Sequence, residues 1–305
     1  MFRLFLHTVT ANKYKMRTKE EIKSRILALA YYYESYSCSE GVLRILTDAY
    51  DELLPPDFLR LGSINRGGAC VDGRCGILES TMLFLSYLYG RNGPDRDYSR
   101  LEYWISGIHD VFDKAMEGYT CGDIWYRRDE EISRGEYIPH THCIIYEGLE
   151  AISDTIYDAV CDLRTAITDK TDSPGYVCSE KALQALLRRE GYEWTEEQKR
   201  VATAYQKGGA RGDRCGAVEM VLLLLSYKYG RLDSRETNLQ DRMLSRMFHS
   251  RIQEICGSVM CRELTGLSCG VEKNCPYLEK IITAAFQFMD EADEIIDRDL
   301  DSFEV

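Results

Sequence analysis

Eight of the twelve cysteines in this 305-residue chain fall into four matched pairs. Three of the pairs are separated by 140 residues: Cys38 with Cys178, Cys75 with Cys215, and Cys121 with Cys261. The fourth pair is Cys143 with Cys275, whose separation is eight residues shorter. Thiolates are nucleophiles and soft metal ligands, so cysteines retained at matched positions indicate metal binding or thiol redox chemistry.

The surroundings of these cysteines favour a charged thiolate. Three of the four retained positions lie at predicted helix N-termini, where free backbone N–H groups and the helix dipole attract anions. A thiol at such a position is expected to have a lowered pKa. Arg74 and Arg214 directly precede Cys75 and Cys215 and add positive charge there. We therefore predict that these two arginines contribute to cofactor binding.

The spacing of the cysteines excludes several familiar motifs. No Cys-x-x-Cys is retained in both copies, which argues against a thioredoxin-type motif and against a zinc ribbon. Each copy spreads its four cysteines over about 100 residues, roughly one per predicted helix. Such a site lies in the core of a helical bundle and forms only when the bundle folds. The other four cysteines have no counterpart: Cys70, Cys161, Cys256 and Cys269.

Two further residue pairs also repeat with the same offset of 140. His109 and His249 each lie 12 residues before a retained cysteine, about 18 Å along a straight helix, which favours packed histidines over ligands. Glu79 and Glu219 lie four residues after the second retained cysteine of each copy, on the same helix face. They are either ligands or proton carriers, or first-turn acids that stabilise the helix dipole.

The shorter separation of the fourth cysteine pair indicates an 8-residue insertion in the first copy. The loop that contains it also carries His140 and His142, next to Cys143. These two histidines are alternative metal ligands in the first copy, and nothing in the second copy matches them.

The elements that position these residues are predicted to be helices. Apolar residues recur at helical spacing, and no convincing alternating strand pattern is present. At roughly 150 residues per domain, the length suggests two domains. We predict an all-α fold of two pseudo-symmetric helical bundles built from a repeat of about 140 residues. The first repeat spans 18–165, and the second spans 166–305 with an acidic C-terminal tail.

Composition limits the function. The chain is 45% hydrophobic and 29% charged, an ordinary globular profile, and its net charge of −12 argues against nucleic acid as a partner. No apolar run approaches the ~20 residues that a membrane-spanning helix needs, so no membrane insertion is expected. Arg3 and His7 interrupt the apolar start, which therefore makes a poor signal peptide. We predict a cytoplasmic protein with reduced thiols.

At the cysteine positions the sequence resembles the C_GCAxxG_C_C family, whose members carry four characteristic cysteines in about 140 residues. The resemblance covers roughly 24–160 and 166–297, as a tandem fusion. The Cys-Gly-Ala at Cys215 and the Cys-Gly-Ile at Cys75 occupy its central motif, and Ile77 replaces the alanine of that motif in the first copy. Glu219 and Glu79 replace the final glycine of that motif. A related domain of split-Soret cytochromes carries an iron–sulfur centre, so the resemblance implies an iron–sulfur site.

These observations predict a redox protein with one four-cysteine site in each repeat. The first interpretation is an iron–sulfur cluster that transfers electrons to a redox partner protein. Two alternatives are a zinc-stabilised helical protein that binds a partner, and a thiol/disulfide redox protein without metal. The repeat is compatible with a fused pseudo-dimer or with a homo-oligomer.

Overall fold

A computed structural model of the chain describes residues 17–126, 141–166, 169–172, 174–236, 239–266 and 275–303. These residues form helices joined by turns, with isolated β-bridges and no β-strand among them. The predicted all-α fold is confirmed. Within the same ranges, every helix is too short or too polar to cross a bilayer.

The first repeat contributes seven α-helices within the residues that the structure describes. They are α1 (Lys19–Tyr32), α2 (Cys38–Ala49), α3 (Pro56–Leu59), α4 (Gly76–Tyr89), α5 (Ser99–Met116), α6 (described over 121–126) and α7 (Thr141–Ala166). Helix α1 begins at a capping box, in which the Thr18 side chain accepts from the Glu21 N–H and the Glu21 carboxylate accepts from the Thr18 N–H. Pro56 occupies the first turn of α3, where its missing N–H costs nothing.

The second repeat contributes six helices in the described part of the chain. They are α8 (Cys178–Glu190), α9 (Glu196–Lys199), α10 (Gly216–Tyr229), α11 (Leu239–Cys256), α12 (Cys261–Thr265) and α13 (Leu278–Phe303). Matched helices have matched lengths: α4 and α10 have 14 residues, α5 and α11 have 18, and α7 and α13 have 26. The internal repeat seen in the sequence is therefore also a repeat of structure.

Helices α4 and α10 lie in the middle of one shared hydrophobic core. Every residue from 76 to 86 and from 216 to 226 is buried, so both helices are covered on all sides for most of their length. Helix α4 packs on α2 and α7 of its own repeat and on the 3₁₀ segment Arg200–Tyr205 of the other. Apolar residues of both repeats therefore leave water together, in a single core.

Two buried serines link each central helix to a loop of the other repeat. Ser226 Oγ on α10 donates to the Arg60 carbonyl at 2.6 Å and accepts from the Ile64 N–H at 3.1 Å. Ser86 on α4 makes the equivalent bonds 140 residues away, to the Arg200 carbonyl at 2.7 Å and from the Ala204 N–H at 3.1 Å. Because these groups are buried, each loop depends on a hydroxyl of the other repeat to satisfy its backbone.

Two ion pairs also join the repeats, in the same symmetric way as the two serines. Arg231 of the second repeat donates to both carboxylate oxygens of Glu40, at 2.7 and 2.8 Å. Arg91 of the first repeat binds Glu180 in the same two-pronged way. Each bond pair crosses from one repeat to the other. The two repeats are therefore related by a pseudo-twofold arrangement in which each contributes to the packing of its neighbour.

Candidate functional site

The loop before Cys75 turns back on itself through consecutive left-handed residues. Gly67, Gly68 and Ala69 have φ values of 62°, 62° and 58°. A Cβ at Gly68 would lie 2.4 Å from the backbone N and O of Gly73, so only glycine fits this close approach. The second repeat has the same turn, with left-handed residues from Lys207 to Ala210. This geometry returns the chain to the start of the central helix of each repeat.

Backbone pairing then brings the second and third retained cysteines together. The Cys75 N–H donates to the Tyr119 carbonyl at 2.8 Å, and the Cys121 N–H donates to the Gly73 carbonyl at 3.0 Å. The second repeat has equivalent bonds at 2.7 Å, from Cys215 to Val259 and from Cys261 to Asp213. The segment entering the central helix therefore fixes the segment entering the next cysteine helix.

Cys38 reaches the same place because α2 packs against α4. The Ser80 hydroxyl on α4 donates to the Ser39 carbonyl at 2.6 Å, which holds the N-terminus of α2 in place. A Cβ at Gly76 would lie 2.6 Å from Cys38 Sγ, so the glycine that follows Cys75 leaves the space that the Cys38 sulfur occupies. The Gly67 and Ser39 N–H groups donate to the Cys38 sulfur.

These three cysteines line one open cavity of about 770 Å³. Cys75 is 4% exposed, whereas Cys38 and Cys121 are half-buried. The fourth cysteine, Cys143, lies in the first turn of α7, and its side chain is outside the described residues. Among the side chains that the structure does describe, no three His, Cys, Asp or Glu are arranged to hold a metal ion. Three of the four predicted ligands thus line one cavity, but the described side chains alone do not form a metal site.

The thiol pKa values differ from the expectation for helix N-termini. Burial raises the pKa of Cys38, although the Gly67 and Ser39 N–H groups oppose the shift. Burial also raises the pKa of Cys75 well above its usual value, and the neighbouring Cys38 adds to that shift against the Ile77 N–H. The predicted lowering of the thiol pKa is wrong for these two cysteines, because desolvation of the thiolate outweighs the donors at the helix start.

The matching cysteines of the second repeat have different surroundings. Cys215 and Cys261 are each 2% exposed and Cys275 is 8% exposed, whereas Cys178 is half-buried. A Cβ at Gly216 would meet first the Tyr205 carbonyl, at 2.2 Å, where its counterpart Gly76 meets a cysteine sulfur. The two sites thus share a backbone design and differ in how the sulfur atoms pack.

Arg74 and Arg214 lie in a buried ionic cluster between the repeats. Arg214 donates to the two carboxylate oxygens of Glu219 at 2.6 and 2.9 Å and to Glu79 at 3.3 Å. Arg74 lies 3.2 Å from Glu79 and 3.3 Å from Asp213. All five side chains are at most 5% exposed. The two glutamates therefore serve as partners of these arginines, while a contribution of Arg74 and Arg214 to cofactor binding stays a prediction.

The arginines also fasten each left-handed turn to the opposite repeat. Arg74 donates to the Gly208 carbonyl at 3.3 Å, and Arg214 donates to the Gly68 carbonyl at 3.4 Å. Burial raises the pKa of Glu219 to about 7, against the lowering influence of Arg214. The loops that carry the cysteines are thereby tied to a charged cluster in the centre of the protein.

Asp213 is a member of this cluster that the sequence analysis missed. Its second carboxylate oxygen accepts from the Tyr119 hydroxyl at 3.2 Å and from Arg262 at 2.9 Å. The matching position of the first repeat is Gly73. A comparison of the two repeats position by position would have marked this aspartate, because a charge replaces a glycine beside a retained cysteine.

The two repeated histidines are buried, as the sequence predicts. The Nδ1 atom of His249 lies 2.8 Å from the Ser245 carbonyl, so this nitrogen carries the proton and donates. In the described part of the chain, neither ring nitrogen of His109 has a hydrogen-bond partner. Burial lowers the pKa of His249 to about 3 and that of His109 well below its usual value, and nearby arginines add to both shifts.

We expect the buried histidines to make the protein less stable in acid. Below pH 6.5 the unfolded chain protonates His249, while the folded protein keeps it neutral down to about pH 3. Stability is therefore lost as the pH falls through this window, by about 1.4 kcal/mol per pH unit for each such histidine. In urea unfolding between pH 6 and pH 4, the His249→Asn variant should show a correspondingly shallower pH dependence than the unsubstituted protein. If stability falls equally steeply with pH in the two proteins, the low pKa of His249 in the folded state is contradicted.

The remaining sequence candidates lie apart from the cavity or outside the described residues. Cys161 in α7 and Cys256 in α11 are half-buried. The residues outside the description, wholly or in their side chains, are Cys70, His140, His142, Cys143 and Cys269. The predicted 8-residue insertion also falls on such residues.

The model of one protein family matches the chain twice. It covers residues 36–147 and 176–292, so that the two matches begin 140 residues apart, and the family is described as "Putative redox-active protein (C_GCAxxG_C_C)". No curated protein and no solved structure was found to match. The two matched ranges include all eight retained cysteines.

Proposed function

This chain belongs to the C_GCAxxG_C_C family, and from that premise we propose that it is an electron-transfer protein with one iron–sulfur cluster in each repeat. Cys38, Cys75, Cys121 and Cys143 hold the first cluster. Their counterparts in the second repeat hold the other: Cys178, Cys215, Cys261 and Cys275. The observation that carries the proposal is the convergence of three cysteines, each from a different helix start, on one cavity.

The chemistry of the first cavity fits such a cluster. Cysteine sulfur is the usual ligand of iron–sulfur clusters. Backbone N–H groups that donate to these sulfurs tune the reduction potential of the cluster. Here the Gly67 and Ser39 N–H groups donate to Cys38, and the Ile77 N–H donates to Cys75. Metal binding would also offset the cost of burying these thiolates, because a coordinating thiol is deprotonated outright. When bound, the cluster supplies one-electron transfer.

Several features of this chain would support that task. The left-handed turn directs the Gly67 N–H at Cys38, and the bridge between Arg74 and Thr120 fixes the distance between two ligand-bearing segments. The buried core around α4 limits water near Cys75. Because these groups are fixed before any electron arrives, little reorganisation would accompany a change of charge.

Thiol/disulfide chemistry is the second candidate, and one observation favours it. The Cys38 sulfur lies beside Gly76, the residue that follows Cys75, so the two thiols are neighbours in the same cavity. A dithiol at this position could be oxidised to a disulfide without any metal. The same cysteines would then act through a two-electron reaction.

Reconstitution without oxygen distinguishes these functions. The full chain is incubated with iron, sulfide and a thiol reductant, and then desalted. We expect a brown protein whose visible absorption bleaches with dithionite and which contains iron and sulfide in near-equal amounts. A colourless, iron-free product that gains a reversible disulfide between Cys38 and Cys75 would select thiol chemistry. Stoichiometric zinc with no redox signal would instead select a structural metal.

A further inference from the structure

We propose that a cavity beside His249 binds a phenol, a small neutral aromatic molecule with a ring hydroxyl, through the unpartnered nitrogen of this imidazole. The cavity has a volume of about 410 Å³ and shares none of its described lining residues with the cysteine cavity. Its lining comes from the first repeat at Val71, from helix α11, and from the segment before α12. The residues are Val71, His249, Ser250, Gln253, Glu254 and Val259. Binding there does not depend on a cluster in either repeat.

The imidazole of His249 is held so that one of its nitrogens can only accept a hydrogen bond. Nδ1 lies 2.8 Å from the Ser245 carbonyl and carries the proton, so Nε2 has a lone pair. In the described part of the chain Nε2 has no hydrogen-bond partner, and the side chain is only 5% exposed. Burial and the nearby Arg214 lower the pKa of the ring to about 3, so the lone pair is present at neutral pH. A buried acceptor without a partner is costly, and a ligand with a donor removes that cost.

The other repeat shows what fills the matching space there. Tyr119 and Val259 occupy matched positions, and so do Arg211 and Val71. The ring of Tyr119 lies beside His109, with ring centroids 6.2 Å apart. The Arg211 guanidinium lies 5.9 Å from the centre of the same tyrosine ring. Two valines therefore line the cavity where the other repeat has an aromatic ring and a guanidinium, and an aromatic ring is the group whose shape fits beside the histidine.

The chemistry of the lining selects the kind of ring. Val71 and Val259 are apolar walls, and Nε2 needs a hydrogen-bond donor, so the ring must carry an O–H or N–H group. The exposed carboxylate of Glu254 disfavours an anion. A metal ion is also disfavoured, because Arg214 adds positive potential at the ring and no three described His, Cys, Asp or Glu side chains are arranged to hold one. A phenol is the side-chain group of Tyr119 at the matched position, and its hydroxyl, with a pKa of about 10, is a neutral donor.

Hydrogen bonds hold the backbone around the cavity. The Ser245 hydroxyl on α11 donates to the Ala69 carbonyl at 2.7 Å, which fixes the left-handed turn beside Val71. The Cys215 N–H donates to the Val259 carbonyl at 2.7 Å, which fixes the wall at Val259. Nε2 itself is buried, whereas the Val71 side chain is 38% exposed. We therefore expect a rotation of that side chain, without a change of the backbone, to give the ligand access to Nε2.

Nitrogen NMR of the histidine side chains in the iron-free, reduced full chain tests the proposal. The probes are phenol and anisole, in which a methyl group replaces the hydroxyl hydrogen. We expect phenol to bind with a dissociation constant on the order of 1 mM and to shift the Nε2 signal of His249, which the His249→Asn variant identifies. Anisole should bind about tenfold more weakly, because it offers Nε2 no donor. An unchanged His249 signal with phenol up to about 10 mM, or equal affinity for anisole, would overturn the proposal.

Variants that fill the cavity locate the site. Val259→Tyr introduces the residue of the matched position and should weaken phenol binding about tenfold or more, because its ring takes the place of the ligand. Val111→Tyr makes the same change at an exposed position on α5 and should bind phenol like the unsubstituted protein. If Val259→Tyr loses its helical circular dichroism, Val71→Arg fills the cavity from the other repeat, with an expected loss of about fivefold. If the filled variants bind phenol as tightly as Val111→Tyr does, the ligand does not occupy this cavity.

Discussion

Replacing Arg214 with methionine should lower the free energy of unfolding by about 3–5 kcal/mol, the usual cost of removing one partner from a buried ion pair. Arg214 donates twice to Glu219 and once to Glu79, and both carboxylates are at most 1% exposed. Methionine leaves these carboxylates without that guanidinium. Urea unfolding followed by far-ultraviolet circular dichroism measures the change.

Two further variants are compared with Arg214→Met in the same unfolding measurement. Adding Glu219→Gln to Arg214→Met removes one uncompensated buried charge and should recover part of the lost stability. Arg251→Met breaks a more exposed pair with Glu291 and should cost less than about 1 kcal/mol from the ion pair. If Arg214→Met costs no more than Arg251→Met, the central cluster does not stabilise the fold as described.

Replacing Cys75 with alanine should halve the iron content of the reconstituted protein. The same result is expected for Cys215→Ala, because each substitution removes one thiolate from one four-cysteine site. Iron, sulfide and visible absorption are measured per chain and compared with the unsubstituted protein. The double variant Cys75→Ala/Cys215→Ala should bind no cluster.

Cys161→Ala is the control for this series. Cys161 is half-buried in α7 and has no counterpart in the other repeat, so its loss should leave the iron content unchanged. If Cys215→Ala keeps all the iron while Cys75→Ala loses it, only the first repeat holds a cluster. If neither substitution changes the iron content, the retained cysteines are not the ligands and the proposed sites are wrong.

Much of the fold could be predicted because its signals are local. The offset of 140 identified the repeat, and Cys38 and Cys178 begin α2 and α8 as the sequence indicated. Helix periodicity and the lack of strand patterns depend on residues close together in the chain. The convergence of the cysteines on one cavity could not be predicted from such local patterns. It depends on hydrogen bonds that join distant segments, such as the one from the Cys75 N–H to the Tyr119 carbonyl.

Features that depend on burial and on contacts between the repeats were not predictable. Arg74 and Arg214 stand next to cysteines in the sequence, which suggested a role beside the thiols. The structure surrounds both guanidinium groups with carboxylates and with carbonyls of the opposite repeat. The pKa of Cys75 likewise depends on how completely α4 is enclosed, and a helix-start argument does not contain that information.

Four side chains donate hydrogen bonds from one repeat to the other, and these bonds bear on the assembly of the chain. They belong to Ser86, Ser226, Arg91 and Arg231. One repeat of this design, made alone, would leave buried backbone groups and a central helix uncovered, so it would need a second copy to fold. Its stability would then depend on protein concentration. Joining the two copies replaces that dependence with an effective local concentration on the order of 1 mM. It also frees each half to change on its own, which two identical subunits encoded by one gene cannot do.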